Sequence, residues 1–86
     1  MSLENTLKTN PMEKQIETLD HLNDLAWEIS TAMKIVQVHK DDIVKYALEP
    51  DYVKIRVKGL EEAEKELEDL QNKYDLALAY LNNLNK

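Results

Sequence analysis

The sequence contains no cysteine and no phenylalanine, and only one glycine, two prolines and one tryptophan among its 86 residues. Without cysteine there is no disulfide, no thiolate nucleophile and no cysteine-bound metal, so a chain this small must draw its stability from elsewhere. Scarcity of glycine and proline disfavours turn-rich β architectures and low-complexity disorder, and a third of charged residues favours helix. A lone arginine, Arg56, and the lack of a glycine-rich loop or a Ser-His-Asp pattern leave little for catalysis. An anionic substrate, for instance, needs several convergent cations. No enzymatic activity, no cofactor and no metal are expected.

Long apolar runs are also missing. No stretch approaches the roughly 20 residues of a membrane span, and the opening MSLENTLKTN has neither the basic region nor the apolar run of a secretory signal. A soluble, cytoplasmic protein without membrane contact is the expectation. Positive charge is in deficit too: 11 basic residues against 17 acidic ones give a formal charge of −6, the wrong sign for tracking phosphates. Nucleic acid is therefore not expected as a partner, and a protein is.

What the chain does contain is helical pattern. In TNPMEK, Asn10 suits a helix cap, Pro11 the first helical position and Glu13 the third, where a carboxylate reaches back to the cap and favours the dipole. Leu19, Leu22, Ala26, Ile29, Met33 and Val36 then recur in steps of three and four, followed by Ile43 and Ala47 after a polar interruption at Lys40. That is a heptad seam, widened on one side by Leu25 and Ala32 as core-facing bundle helices require. LEPDY stops it, because a residue before proline leaves the α region and Pro50 cannot continue the ladder. A second seam follows: Val53, Leu60, Ala63, Leu67, Leu70, Tyr74, Ala77, Leu81 and Leu84, with Arg56 its single polar occupant.

The expected fold is all-α, a long antiparallel helical hairpin resembling a coiled coil. It has a flexible arm at 1–9, of which the first three residues read as an expression scar, and a single helical domain over 10–86. Within that domain the pattern predicts a helix over about 11–48, a turn over about 49–52 and a helix over about 53–85, antiparallel because short connections make antiparallel neighbours. Centring the turn between Asp51 and Tyr52 lays Leu19 on Leu84, Leu22 on Leu81, Ala26 on Ala77, Ile29 on Tyr74, Met33 on Leu70, Val36 on Leu67 and Ile43 on Leu60. Lys40 then falls opposite Ala63 and Arg56 opposite Ala47, where a long cationic stem can cross a methyl and carry its charge outward.

Three local features compete with this pattern. VKIRVKG, 53–59, alternates apolar and basic residues with the period of a strand. HKDD, 39–42, offers an end to the first helix and a start to a short third one, which would make a three-helix bundle. Gly59 inside a helix costs about 1 kcal/mol relative to alanine and invites a kink.

A hairpin needs only one apolar stripe per helix, yet YDLALAYLNNL, 74–84, sends apolar side chains in nearly every direction. Trp27, Ile35, Leu76, Leu78 and Tyr80 fall outside the seam and form the candidate protein interface, with Tyr46, Leu48, Tyr52 and Ile55 near the turn. Two hairpins pairing into a four-helix bundle would cover them, as a homodimer or as a heterodimer with a similar chain. The expected function is that of a non-enzymatic interaction module: a structural, adaptor or chaperone-like subunit acting through oligomerisation.

An alternative rests on charge. Glu61, Glu62, Glu64, Glu66, Glu68 and Asp69 make an acidic run that reads first as the solvated face of a coiled coil. Its sharper reading is the contact of an acidic inhibitor, of the kind phages and mobile elements carry, that occupies a basic or nucleic-acid-binding surface of a target. KIRVK, 54–58, is a small counterweight whose cations spread around a helix. His21 has Glu17 and Asp24 on its face but lacks the further carboxylates and the second histidine of a helical metal site, and His39 beside Lys40 reads as surface.

Overall fold

The computed structural model describes residues 11–84, so the expected arm at 1–9 and the Asn10 cap lie outside the described residues. Two helices of 35 residues each account for nearly all of them: α1, Pro11–Lys45, and α2, Pro50–Leu84. At 1.5 Å per residue each is about 52 Å long, and they pack side by side as an antiparallel hairpin. The chain is all-α.

The reversal comes earlier than the sequence pattern places it. α1 ends at Lys45 rather than about 48, and α2 starts at Pro50 rather than about 53. In the turn the Tyr46 amide still donates to the Asp42 carbonyl at 2.9 Å, and the Glu49 amide donates to the Tyr46 carbonyl at 2.9 Å. The Glu49 carbonyl then accepts from the Val53 amide at 3.0 Å, which makes Glu49 the cap residue of α2 and Pro50 its first helical position. Proline is at home there, since its missing N–H would be unsatisfied in any case and its φ is already helical. Asp51 places a carboxylate in the first turn, where the helix dipole favours it. LEPDY therefore starts a helix for the same reasons as TNPMEK.

Contacts between the helices give the register. Tyr46 meets Tyr52 edge to face with ring centroids 4.6 Å apart, Asp42 pairs with Arg56 at 3.4 Å, and His39 lies against Gly59. Each pair straddles Glu49 symmetrically. The register centred between Asp51 and Tyr52, with its pairs from Leu19 on Leu84 to Lys40 on Ala63, is corrected accordingly, because Pro50 belongs to the helix and not to the turn.

Every seam residue expected on α2 does face α1. From Val53 through Arg56, Leu60 and Ala63 to Leu81 and Leu84 all are half-buried, and none is fully buried. On α1 half of the expected seam holds. Ile29 and Ile43 are half-buried, and Leu22 and Val36 are buried. Leu19 and Met33, however, are 52% and 54% exposed, and Ala26, Lys40 and Ala47 are exposed with them. Their places are taken by Thr18, Leu25, Ala32, His39 and Tyr46, of which the first three are buried.

The two stripes, one starting at Thr18 and the other at Leu19, flank the Leu22–Ile29–Val36 row at equal angles, so spacing alone gives either. The partner helix decides. The chosen side keeps the Lys40 ammonium in water, brings His39 to the gap at Gly59 and Tyr46 to Tyr52, and the buried Thr18 hydroxyl is satisfied by donating to the Lys14 carbonyl at 2.7 Å.

The competing local readings resolve through the same contacts. α1 runs unbroken through 39–42, because His39 and Asp42 both have work on α2, and the three-helix alternative falls with it. Residues 53–59 are helical: Val53 and Arg56 turn toward α1, while Ile55 is left 69% exposed. Arg56 closes the turn end. Its Nε donates to the Tyr52 hydroxyl at 2.9 Å, its guanidinium stands 5.2 Å from the Tyr52 ring centroid, and Asp42 takes its charge. That hydrogen bond first, and the nearby charge of Asp42 after it, raise the Arg56 pKa above its ordinary value.

Gly59 produces no break, since α2 continues through it, and no described residue has positive φ. Its role is close approach. A Cβ built on Gly59 would lie 2.7 Å from Cε1 of His39, so the missing side chain is the space the imidazole occupies. His39 is accordingly half-buried, with a buried Nδ1 that makes no hydrogen bond, and is not the surface residue its neighbours imply. Gly59→Ala gains about 1 kcal/mol of helix propensity but pushes against the ring. The substitution is expected to stabilise the hairpin by that amount in a His39→Ala background and by clearly less in the native one. A double-mutant cycle read by urea denaturation checks this, and equal gains in both backgrounds would contradict it.

Candidate interaction surface

A two-helix hairpin has two long faces flanking its seam, and residues seven apart on a helix share a face. One face carries two shallow grooves. The first is lined by Trp27, Ala32, Ile35, Ala63 and Leu70, with Glu28 and Glu66 at its edges. The second is lined by Thr18, His21, Leu76, Ala77 and Tyr80, with Glu17 and Lys73. His21, Glu28 and Ile35 lie seven apart on α1, and Glu66, Lys73 and Tyr80 seven apart on α2, so both grooves open on the same side. Four of the five residues expected to form an interface, Trp27, Ile35, Leu76 and Tyr80, meet here, and they are 69%, 47%, 72% and 48% exposed.

Leu78 is on the opposite face. It shares a stripe with Val57, 38% exposed against 39% for Leu78, and with Gln71, which lines a third groove together with Ala26, Ile29, Tyr74 and Asp75. Leu19 and Met33, displaced from the seam, are seven residues either side of Ala26 and therefore share this second face, next to Ile16. Trp27 stands on the ridge of α1 between the two faces and also borders a depression with Asn23, Ala26 and Ser30. Of the residues expected near the turn, Leu48 and Ile55 are exposed, whereas Tyr46 and Tyr52 are half-buried in the turn cluster.

Pattern reading overlooked the second face. Its signal is present: Met12, Ile16, Leu19, Ala26 and Met33 recur at heptad spacing on α1, but Leu19, Ala26 and Met33 had already been assigned to the inner seam.

The acidic residues Glu61, Glu62, Glu64, Glu66, Glu68 and Asp69 are all exposed. They spread over roughly 200° on the outward side of α2, and among the described residues none of them forms an ion pair. Lys54 and Lys58 are exposed near the turn, while Arg56 between them faces inward. His21 is exposed at the edge of its groove, and among the described residues no group of three or more His, Asp or Glu side chains is placed to hold a metal ion. Nor, among those residues, is any helix long and apolar enough to cross a membrane. No family model matches the chain, and neither a curated protein nor a solved structure shows significant similarity to it.

Proposed function

We propose that this chain is a non-enzymatic helical interaction module, a cytoplasmic structural, adaptor or chaperone-like subunit that works through association with other proteins. The observation that carries this reading is the imbalance of burial. Among the described residues only Leu22, Leu25, Ala32 and Val36 are buried apolar residues and α2 has no buried residue, while Trp27, Ile35, Leu76 and Tyr80 border grooves on one open face. Covering a large apolar side chain contributes about 1.5 to 3 kcal/mol, so a second helical surface laid on this face adds more than the hairpin obtains from any single layer of its own seam. Two hairpins joined as a four-helix bundle make the economical arrangement, with the second one either the same chain or a similar one. Sedimentation equilibrium at micromolar concentration tests the reading. A species of twice the 10.0 kDa chain mass is expected, and a monomer that unfolds cooperatively and independently of concentration would overturn it.

A second reading is supported by the six exposed, unpaired carboxylates over 61–69. In it the chain covers a basic or nucleic-acid-binding surface of a target enzyme and inhibits it. Binding of such a target should weaken steeply as ionic strength rises and the screening length falls from about 30 to 10 Å. It should also be lost when Glu61, Glu64 and Glu68 are changed to Gln. Binding indifferent to both changes rules this reading out.

A further inference from the structure

Resting on the reading that the chain associates, we infer that the face with Trp27, Ile35, Leu76 and Tyr80 takes a basic amphipathic helix of another protein, in preference to a second copy of this chain.

The floor of that face sets the shape of the occupant. It is built from the near-side residues of the seam, and these are small at two heights. Ala32 and Ala63 lie in the first groove, Thr18 and Ala77 in the second. Between them stand Leu25, which is buried, and Leu70, which is half-buried. Thr18 and Ala32 are two heptads apart on α1, and so are Ala63 and Ala77 on α2. Both helices therefore place the two hollows about 21 Å apart, with a raised stretch in between. A helix laid along the seam meets this profile when it carries large apolar side chains two heptads apart and a small one at the heptad position between them.

Charge sets the sign of the occupant. Glu28 and Glu66 border the first groove directly. Asp24 shares a stripe of α1 with Glu17 and Thr31, and Glu62 and Asp69 share one of α2 with Leu76, so all three belong to the face that these lining residues define. Five carboxylates thus flank the hollow at Ala32 and Ala63, and among the described residues none of them is in an ion pair. Lys73 sits farther along, in the second groove. Lys34, in the stripe of Trp27, and Lys65 stand on the backs of their helices. Lysine or arginine beside the large side chain that enters this hollow meets the carboxylates, and such complementarity selects one partner over another.

A second copy has no such helix to offer. Both of its helices carry more acid than base. At 54–58 its cations spread around α2, with Arg56 already paired to Asp42.

Trp27 is the sole tryptophan and borders the first groove, so its fluorescence reads occupancy without a label. The probe is a synthetic helix of about three heptads, made of leucine, alanine and lysine with its leucines two heptads apart, and a counterpart with glutamate for lysine. The lysine helix is expected to shift Trp27 emission to the blue and to protect it several-fold from acrylamide quenching, and the glutamate helix to do neither. Glu66→Lys should weaken binding of the lysine helix on the order of tenfold. Asp75→Lys makes the same charge change on the opposite face, beyond the screening length of about 10 Å at 0.1 M salt, and should leave binding unchanged. A lysine helix of equal composition with its leucines one heptad apart should bind several-fold more weakly. Equal weakening by the two substitutions, equal binding of either control helix, or no protection of Trp27 by the lysine helix overturns the inference. The association reading is judged apart from it, by the sedimentation of the chain alone.

Discussion

Pro50 has no amide hydrogen to donate, and most of this structure depends on where that fact puts it. As the first residue of α2 it is harmless and even helpful, and as a turn residue it would have moved the reversal later in the chain. With Glu49 as the cap, Asp42 reaches Arg56, Tyr46 reaches Tyr52 and His39 reaches Gly59. These three contacts hold the register of two long helices whose apolar stripes, made mostly of Leu, Ile, Val and Ala, discriminate poorly between neighbouring registers. The turn end thus carries the specificity, and the remainder of the seam carries the apolar contact.

That division explains how little is buried. Two cylinders in contact share one narrow strip, so even the inward residues of α2 stay half-covered, and the four best-buried side chains of the apolar set all belong to α1. A chain of this size is marginal on its own surface-to-volume ratio, and an isolated pair of helices more so. Many of the uncovered residues are grouped and not scattered singly as on ordinary surfaces. Trp27, Ile35, Leu76 and Tyr80 gather on one face, and Ile16, Leu19, Met33 and Leu78 on the other.

Electrostatics shapes which surfaces can meet. The acidic belt over 61–69 is solvated and faces several directions, so it discourages any arrangement that stacks it on itself and tolerates those that set it beside neutral helix. The end of α2 is nearly uncharged by comparison, with Asp75 the sole acid after Asp69.

Much of this was legible in the amino-acid order. Two helices, their antiparallel pairing, the entire inward stripe of α2 and the surplus of apolar residues outside it follow from heptad spacing and from the helix-starting chemistry around Pro11. Three things did not follow. The choice between the Thr18 and Leu19 stripes was open because both flank Leu22, Ile29 and Val36 equally, and only a partner helix breaks that symmetry. The register was open because a heptad pattern repeats every turn or two, and the decisive clue, that LEPDY has the same start signal as TNPMEK, competes with the reading of proline as a stop. The purpose of Gly59 was invisible, because a glycine inside a helix signals weakness until the ring that fills its gap is known. Local propensity and periodicity act within one helix, so the sequence by itself determined what each helix is; which side it shows, and to what, is a property of the pair and was decided only when the two were laid together.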